Sequence, residues 1–379
     1  MRSLLRALEL FLRHVLVYPL LRLAFQNSQS DQTIDLQTIQ RILILRYDRI
    51  GDIIVTTPIF RKLKVLNPRL EIGVIASEAN ASIISHDPNI DHVHILKKNW
   101  LELIRQLREA KQMNYDVVLN FIFNRTTSGG ILANLVAPRG FKVGQGGEKY
   151  RFYFNRLLNL QRGSMHMVEV LADFVTQVFG VTFDDRDLQF RIAVDRDSIS
   201  QVDDYLQEHS LSRRTEGGLS GRLYVVFNLS ATDAVRQITK QQAVATVGHL
   251  AIFREIPTVL ISSRADAELL REIQTESDST NCIRYPTTGS ASLLQIANLI
   301  EGASFVVTPD TSIIHFASAV QTPVIGLFTP LQVTNEWLPY KVEASAVFAE
   351  NGQSVRNIPD ERILTALDAF ITKHIQQRD

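Results

Sequence analysis

The sequence predicts an α/β protein made of two Rossmann-like, doubly wound domains that face each other across a cleft. Its 379 residues, 45% of them hydrophobic, suffice for more than one buried core. Short β-rich runs alternate with longer helical patterns in two successive sets, as parallel sheets covered on both faces require. A segment rich in glycine, serine and charged residues, 210–222, separates the two sets and marks a linker or long loop.

The first set of elements defines a predicted N-terminal domain, residues 40–211. Its strands are short apolar runs, and leucine and isoleucine recur at helical spacing between them. The predicted strands are 42–45, 72–76, 92–96 and 116–123, and the predicted helices are 100–113, 165–180 and 197–210.

The second set defines a predicted C-terminal domain, residues 212–379, whose last helix is free to cross back to the first domain. Ligands of such domains bind at the carboxyl ends of the strands, which places the expected site in the cleft. The predicted strands are 223–229, 258–263, 304–310 and 323–328, and the predicted helices are 240–253, 265–276, 292–303, one from 311, and 360–377.

Composition excludes several classes of protein. Forty Lys and Arg residues balance 40 Asp and Glu residues, so no overall basic field exists to hold nucleic acid. The only cysteine, Cys282, excludes an intramolecular disulfide and a cysteine-based zinc site, and it fits a reducing, cytoplasmic location. His92 and His94 share a strand face without an acidic or cysteine partner at ligand spacing, so we predict no metal site.

The N-terminal segment, residues 1–39, differs from the rest. Its first 26 residues are apolar but interrupted by Arg6, Arg13 and Arg22, so no run reaches the roughly 20 residues that cross a bilayer. No cleavage site of the secretory type follows. We expect an amphipathic helix in the membrane interface, followed by a polar linker. The alternative is an arm that packs on its own domain or on a partner subunit.

A tight turn after the first predicted strand carries Gly51 and Asp52. The turn holds Asp52 at the rim of the sheet, where it either caps backbone N–H groups or serves in chemistry. Arg46 and Arg49 precede it; they keep it ionised, bind an anionic substrate or are solvated surface charges.

A threonine and a proline, Thr57 and Pro58, follow the same turn. This pair has the pattern of a helix N-cap and first helical residue. It predicts that the helix begins or restarts there.

The second domain repeats the strand, turn and helix layout around Asp310. The helix that follows presents Thr311, His315 and further hydroxyls on one polar face. Its first backbone N–H groups are able to hold phosphate oxygens. His315 is either a structural hydrogen-bonding group or part of the site.

A third polar element follows the first strand of the second domain, and it carries Ser230, Thr232, Arg236 and Lys240. Hydroxyl groups and cations in this position suit a diphosphate whose negative charge must be stabilised. Polar loops of this kind also occur without any such role.

Together these motifs resemble glycosyltransferase family 9, the ADP-heptose:lipopolysaccharide heptosyltransferases and their relatives. The resemblance runs from about residue 41 to residue 330 and rests on two ordered motifs. The matching residues are Gly51-Asp52, Thr57-Pro58 and Leu63-Lys64 in the first motif, and Asp310-Thr311, His315, Ala317, Ala319, Pro323 and Leu327-Phe328 in the second.

The chain also departs from the family pattern. Ser312 replaces a glycine, which restricts how closely a sugar approaches the backbone. Residues 329–331 replace Gly-Pro-Thr, Asn120 replaces an acidic residue, and Ile238 stands where an aromatic residue is usual after the basic position 236. These differences concern the donor more than membership of the family.

The resemblance implies a GT-B fold and inverting sugar transfer without a metal or other cofactor, from a nucleotide sugar, ADP-heptose, to a lipid-linked glycan. The acceptor implies an enzyme at the inner face of the cytoplasmic membrane. Asp52 is then the catalytic base, and Arg46, Arg49 and Gly51 bind the acceptor or an anion. The other implied contacts are Ser230, Thr232, Arg236, Lys240, Thr311 and Ser312 to the donor diphosphate, Asp310 and His315 to the donor sugar, and Asp266 and Glu268 to the ribose.

Two other functions are compatible with parts of this pattern. A catalytically silent nucleotide-sugar or glycan-binding relative would explain the change at Ser312. A nicotinamide-dependent dehydrogenase would use paired Rossmann domains, but the glycine fingerprint is missing after every strand.

Overall fold

The computed structural model describes residues 18–25, 27–124, 126–214, 222–277, 280–330 and 334–376. Within these ranges the chain forms two six-stranded parallel sheets flanked by helices. The prediction of an α/β protein with two Rossmann-like domains is confirmed. Most of the predicted amphipathic segment, residues 1–17 and 26, lies outside the described residues. Its end forms helix α1, Tyr18–Ala24.

The first sheet has the strand order β3-β2-β1-β4-β5-β6, so the winding direction reverses between β1 and β4. Ile44 at its centre pairs with Val74 on one side and Leu119 on the other. All three side chains are fully buried, because helices cover both faces. The strands are β1 Arg41–Leu45, β2 Glu71–Ser77, β3 His92–Leu96, β4 Val117–Asn120, β5 Phe141–Gln145 and β6 Arg156–Leu158.

The second sheet repeats this order as β9-β8-β7-β10-β11-β12, with the reversal between β7 and β10. Val306 pairs with Val226 and Val324, and all three are fully buried. Each sheet therefore offers a crevice beyond its carboxyl edge, where its two halves diverge. The strands are β7 Val225–Asn228, β8 Thr258–Ile261, β9 Cys282–Arg284, β10 Val306–Pro309, β11 Val324–Phe328 and β12 Ala344–Phe348.

The helices around the sheets begin at residues that suit helix starts. Those that start at residues 167, 240 and 293 each have a capping box, in which the cap side chain and the third helical residue satisfy each other's backbone N–H groups. The helices are α2 Ile50–Leu66, α3 Trp100–Gln112, α4 Thr126–Val136, α5 Met167–Phe179, α6 Arg196–Glu208, α7 Lys240–Val247, α8 Ala267–Ser277, α9 Leu293–Gly302, α10 Ser312–Val320 and α11 Asp360–His374.

Helix α2 corrects the expected helix start at Thr57 and Pro58. It runs unbroken through Pro58. Proline has no N–H to donate to the carbonyl of Ile54 four residues earlier, which normally breaks a helix. The Thr57 hydroxyl donates to that carbonyl instead, at 2.8 Å. Thr57 and Pro58 therefore lie inside the helix, where the Thr57 hydroxyl satisfies the carbonyl left free by the proline, and they do not form an N-cap.

Strands β5, β6, β9 and β12 and helix α4 were not predicted. Strands β6 and β9 have three residues each, and β12 is an edge strand with a mostly exposed pattern. Helix α4 contains Gly129 and Gly130, which are weak helix formers. A Cβ at Gly129 would lie 2.5 Å from the side-chain oxygen of Asn120, so close packing explains at least this glycine.

Helices α6 and α11 both pack on the second sheet's layer. Helix α6 contacts α9, and the Tyr205 hydroxyl donates to the carbonyl of Arg284 at 3.1 Å. Helix α11 packs on α7 and β12. The boundary between residues 211 and 212 stays a prediction, because α6 lies before it and yet contacts the second domain.

The two domains contact each other through α2 and α10 and through a buried ion pair. Arg162 donates to both carboxylate oxygens of Glu336, at 3.1 and 2.7 Å, and Glu336 is fully buried. The ring of His166 contacts the Leu338 carbonyl at 3.1 Å beside this pair. These contacts fix the two carboxyl edges relative to one another. No helix within the described ranges combines the length and apolar character of a membrane span.

Candidate active site

Asp52 lies in the first turn of α2, directly beyond the carboxyl end of β1. Its side chain is 12% exposed, at the reversal point of the first sheet. One carboxylate oxygen lies 3.2 Å from a terminal nitrogen of Arg46. Asp52 is thus held by a cation rather than by helix N–H groups alone, while a small part of it stays open to the cleft.

Arg46 is almost fully buried, at 1% exposure, and its guanidinium joins three elements. Its Nε donates to the Asp52 carbonyl and the Thr56 hydroxyl, both at 3.0 Å, within α2. Its Nη1 donates to the Phe121 carbonyl, just beyond β4. Arg46 was expected to keep Asp52 ionised, to bind an anion or to be a solvated surface charge. It pairs with Asp52 and its nitrogens donate to protein oxygens at the centre of the turn, so it is not a solvated surface charge.

Asp48 is a third charged group at this turn that the sequence analysis did not single out. One of its oxygens accepts from Arg46 Nη1 at 3.1 Å. Burial, together with the nearby charge of Asp52, raises the pKa of the Asp48 carboxyl to about 6, although Arg46 opposes the rise. Position 48 resembles an ordinary turn aspartate in sequence, so no local signal separates it from a solvated residue.

Gly51 lies at a close approach between the two domains. A Cβ added there would lie 2.6 Å from Cδ2 of His315, which real structures do not allow. Glycine is therefore required by a close approach of α10 rather than by a positive φ. The Gly-Asp motif of the first domain and the histidine of the second are in direct contact.

His315 is buried at this contact, at 5% exposure, among aromatic rings. Its ring lies 5.8 Å from Trp337 and 6.4 Å from both Phe190 and His166. Burial lowers the pKa of His315 to about 3, so its ring is neutral at physiological pH. Its expected contact with a donor sugar stays a prediction, and in the described structure the ring fills the domain interface.

Asp310 and Arg236 form an ion pair at the carboxyl edge of the second sheet. An Arg236 nitrogen lies 3.3 Å from the Asp310 carboxylate. Burial raises the pKa of Asp310, whereas the charges of Arg236 and Arg49 lower it. Arg49 belongs to the first domain, so its charge acts on Asp310 across the cleft. The expected site residues of both domains therefore lie near one another.

Asn228, at the end of β7, was also missed by sequence reasoning. Its amide donates to the hydroxyls of Thr308 and Thr311, at 2.9 and 3.2 Å. Its carbonyl oxygen accepts from the Ser230 N–H at 3.2 Å. Asn228 thus joins the loop after β7 to the start of α10, although its partners are remote in sequence.

A cavity of about 850 Å³ opens at the carboxyl ends of β7, β8, β9 and β10, within the second domain. Five predicted donor-site residues line it: Ser230, Thr232, Asp266, Thr311 and Ser312. Residues that were not predicted line the rest, among them Asn228, Arg264, Arg284, Tyr285 and Pro286. Its size, hydroxyl groups and cations suit a nucleoside diphosphate.

Lys240 and Glu268 do not line this cavity. Lys240 ion-pairs with Glu272 at 3.0 Å and also with Glu276, on the outer surface of α7 and α8. Glu268 is exposed in the first turn of α8. Arg236 also lies outside the lining, beside Asp310.

Comparison with known proteins gives the family. Residues 100–361 match the profile of glycosyltransferase family 9 (heptosyltransferase). Over 333 residues the chain is 23% identical to the lipopolysaccharide core heptosyltransferase OpsX of Haemophilus influenzae, covering 85% of this chain and 88% of that protein. It is 26% identical over 308 residues to lipopolysaccharide heptosyltransferase 3 of Escherichia coli, covering 73% and 80%.

Solved structures agree with this assignment. A family 9 glycosyltransferase of Veillonella parvula superposes with a TM-score of 0.74 at 19% identity, covering 90% of this chain and 99% of that one. The E. coli heptosyltransferase WaaC with ADP gives 0.66 at 17% identity, covering 89% and 99%. The chain belongs to glycosyltransferase family 9. It is a glycosyltransferase with the GT-B fold, as the resemblance implied.

Replacement of Gly51 by alanine tests the contact between the domains. The added methyl group overlaps the His315 ring, so we expect a loss of stability of about 1–3 kcal/mol, measured by denaturant unfolding. The matched control is Gly248→Ala, a helical position with open space around it, where stability should stay equal or rise. Equal stability of Gly51→Ala and the parent protein would show that the domains do not meet at Gly51.

His166 provides a test of stability against pH. Burial lowers the pKa of His166 to about 4 from 6.5. The contribution of the neutral His166 ring to folding stability is therefore complete above pH 6.5. This contribution is lost as pH falls from 6.5 towards 4, because the histidine of the unfolded chain takes up a proton first. His166→Asn keeps an acceptor for the helix cap. The stability difference between parent and variant should shrink over this pH range in thermal unfolding, and a constant difference would contradict the assignment.

Proposed function

We propose that the protein is an inverting, metal-independent heptosyltransferase that uses ADP-heptose and acts on a lipid-linked, lipopolysaccharide-type glycan. One observation carries the proposal. A nearly buried carboxylate, Asp52, is held by Arg46 at a domain contact beyond which the second domain opens a cavity of nucleotide size. This arrangement separates a base for the acceptor from a site for the donor.

The donor part of the proposal is supported by the cavity and by relatives. Hydroxyls of Ser230, Thr232 and Thr311 line a space of about 850 Å³. The start of α10 presents backbone N–H groups to the same space, which favours phosphate oxygens. The E. coli heptosyltransferase WaaC has been solved with ADP and with an ADP-2-deoxy-2-fluoro heptose. ADP-heptose is therefore the donor that we propose.

The proposed chemistry is a single displacement at the anomeric carbon of the donor sugar. Asp52 takes the proton from the acceptor hydroxyl while the oxygen of that hydroxyl attacks the anomeric carbon of the donor sugar. The bond from that carbon to the diphosphate breaks on the other side, and the electron pair leaves with the diphosphate, which inverts the configuration. Arg236 and the N–H groups of α10 stabilise the departing charge, while Asp310 holds sugar hydroxyls.

Asp52→Asn tests the base directly. The amide keeps the shape but cannot take a proton, so transfer should fall by about 10²–10⁴-fold, while the dissociation constant for ADP-heptose stays within about twofold. Turnover is followed by ADP release with a membrane extract as acceptor, and donor binding by calorimetry. Asp204→Asn, an exposed aspartate on α6, is the control and should leave both values unchanged. Full turnover in Asp52→Asn would remove it from the base role, and donor binding without transfer in the parent would indicate a silent relative.

The proposed acceptor places the protein at the cytoplasmic face of the inner membrane. The described part of the N-terminal segment supports this, because Leu20 and Leu23 on α1 are 67% and 73% exposed. The guanidinium of Arg22 lies 5.4 Å from the Phe152 ring centre, so α1 is anchored to the first domain. An anchored helix with exposed leucines is suited to lie against a lipid surface.

Co-sedimentation with vesicles that contain anionic phospholipid tests the membrane contact. The parent protein should bind, and the double change Leu20→Glu with Leu23→Glu should reduce the bound fraction, because it places charge on the apolar surface. Val65→Glu makes the same change at another exposed apolar position, on α2, and should not affect binding. Equal binding by the parent and the double variant would exclude α1 from the contact.

A further inference from the structure

Asp48 shares the Arg46 guanidinium with the base. Its Oδ2 lies 3.1 Å from Nη1 of Arg46, and Oδ1 of Asp52 lies 3.2 Å from Nη2. The other oxygen of Asp48 is buried and has no hydrogen-bond partner among the described residues. Two carboxylates are thus bound to the two ends of one cation.

The charge of this cluster is not balanced. Arg46 supplies one positive charge against the negative charges of Asp48 and Asp52. Its side chain is 1% exposed, whereas those of Asp48 and Asp52 are 24% and 12% exposed, so the extra charge is largely but not fully buried. Burying a net charge is costly, and burial is the largest cause of the raised pKa of Asp48, about 6. A side chain kept only for stability would not need this charge, since a neutral amide has the same shape.

Backbone N–H groups of Asp48 and Arg49 favour the ionised Asp48 carboxylate, but among the described residues no second cation pairs with Asp48 or Asp52. The elements packed here contribute neutral atoms, namely the Thr56 hydroxyl, the Phe121 carbonyl and the Asn80 amide, which donates to the Arg46 carbonyl. The neutral ring of His315 packs against Gly51. Arg49 is the next cation along the chain, and its charge acts on Asp310, which is paired with Arg236.

We propose that Asp48 is a positioning residue for the transfer reaction. Asp48 balances the charge of Arg46, so that Arg46 fixes the Asp52 carboxylate in place without weakening Asp52 as a base. The proposal rests on the proposed function of Asp52. A base paired alone with a buried cation holds its own proton poorly, because the cation favours the ionised form. When Asp48 is ionised, the Arg46 cation is shared between the Asp48 and Asp52 carboxylates. When Asp52 takes the acceptor proton, a neutral Arg46–Asp48 pair and a neutral acid remain.

The test compares Asp48→Asn and Asp48→Glu with the parent in the pH dependence of kcat/KM. Asp48→Asn keeps an oxygen for Arg46 but removes the charge, so kcat should fall about tenfold or more and the acidic limb should move to lower pH by about 1 unit. Asp48→Glu restores the negative charge. Its acidic limb should therefore lie at the same pH as in the parent protein, and part of kcat should be recovered. The dissociation constant for ADP-heptose should stay within about twofold in both variants.

Thermal unfolding separates this role from a structural one. Because the folded pKa of Asp48 is raised, the ionised carboxylate costs stability, and this cost develops as pH rises from 3.8 to about 6. Asp48→Asn should therefore unfold at the same temperature as the parent or higher at pH 7.5. A lower unfolding temperature, or an acidic limb that does not move, would overturn the proposal. Absence of transfer by the parent would overturn the proposed function as well, whereas transfer with an unmoved limb overturns this proposal alone.

Discussion

The buried guanidinium of Arg46 is the interaction on which the site depends. It ties the ends of β1 and β4 to the first turn of α2 through oxygens of Phe121, Asp52 and Thr56. These contacts hold the turn at the reversal point of the first sheet, where Rossmann domains have their crevice. The same contacts set the direction of the Asp52 carboxylate. In the proposed mechanism, fold and catalysis are therefore linked through one side chain, and loss of Arg46 would affect both.

The second constraint is the contact between the domains. His315 packs on Gly51 with no room for a side chain between them, and Arg162 and Glu336 fix the domains beside it. A glycosyltransferase of this fold must bring an acceptor-side base to a donor held by the other domain. In the proposed mechanism, direct contact of the two motifs meets that need, because the turn that carries Asp52 and the helix that carries His315 keep a defined separation.

Local patterns explain which parts of the structure could be predicted. The strand, the glycine turn and the helix start around Asp52 are adjacent in sequence, so the position of Asp52 at the sheet rim followed from them. Asn228 depends on partners that only folding brings near, such as Thr308. Asp48 pairs with Arg46 two residues earlier, but the burial that raises the pKa of its carboxyl arises only on folding. The helix start predicted at Thr57 and Pro58 was wrong, because a threonine hydroxyl can satisfy a free carbonyl inside a helix as well as cap a helix start. Lys240 was expected to contact the donor diphosphate from its position in sequence, but in the structure it forms ion pairs with two glutamates of α8.

Ligand-observed NMR measures which nucleotide sugar the protein binds. The purified protein is mixed with ADP-heptose, ADP-glucose, UDP-sugars and GDP-sugars, with NAD as a control. We expect selective binding of ADP-heptose that weakens in Arg236→Ala and is unchanged in Arg362→Ala, an exposed arginine on α11. Binding of a different nucleotide sugar would replace the donor and keep the enzyme class. Binding of none of them would contradict the account.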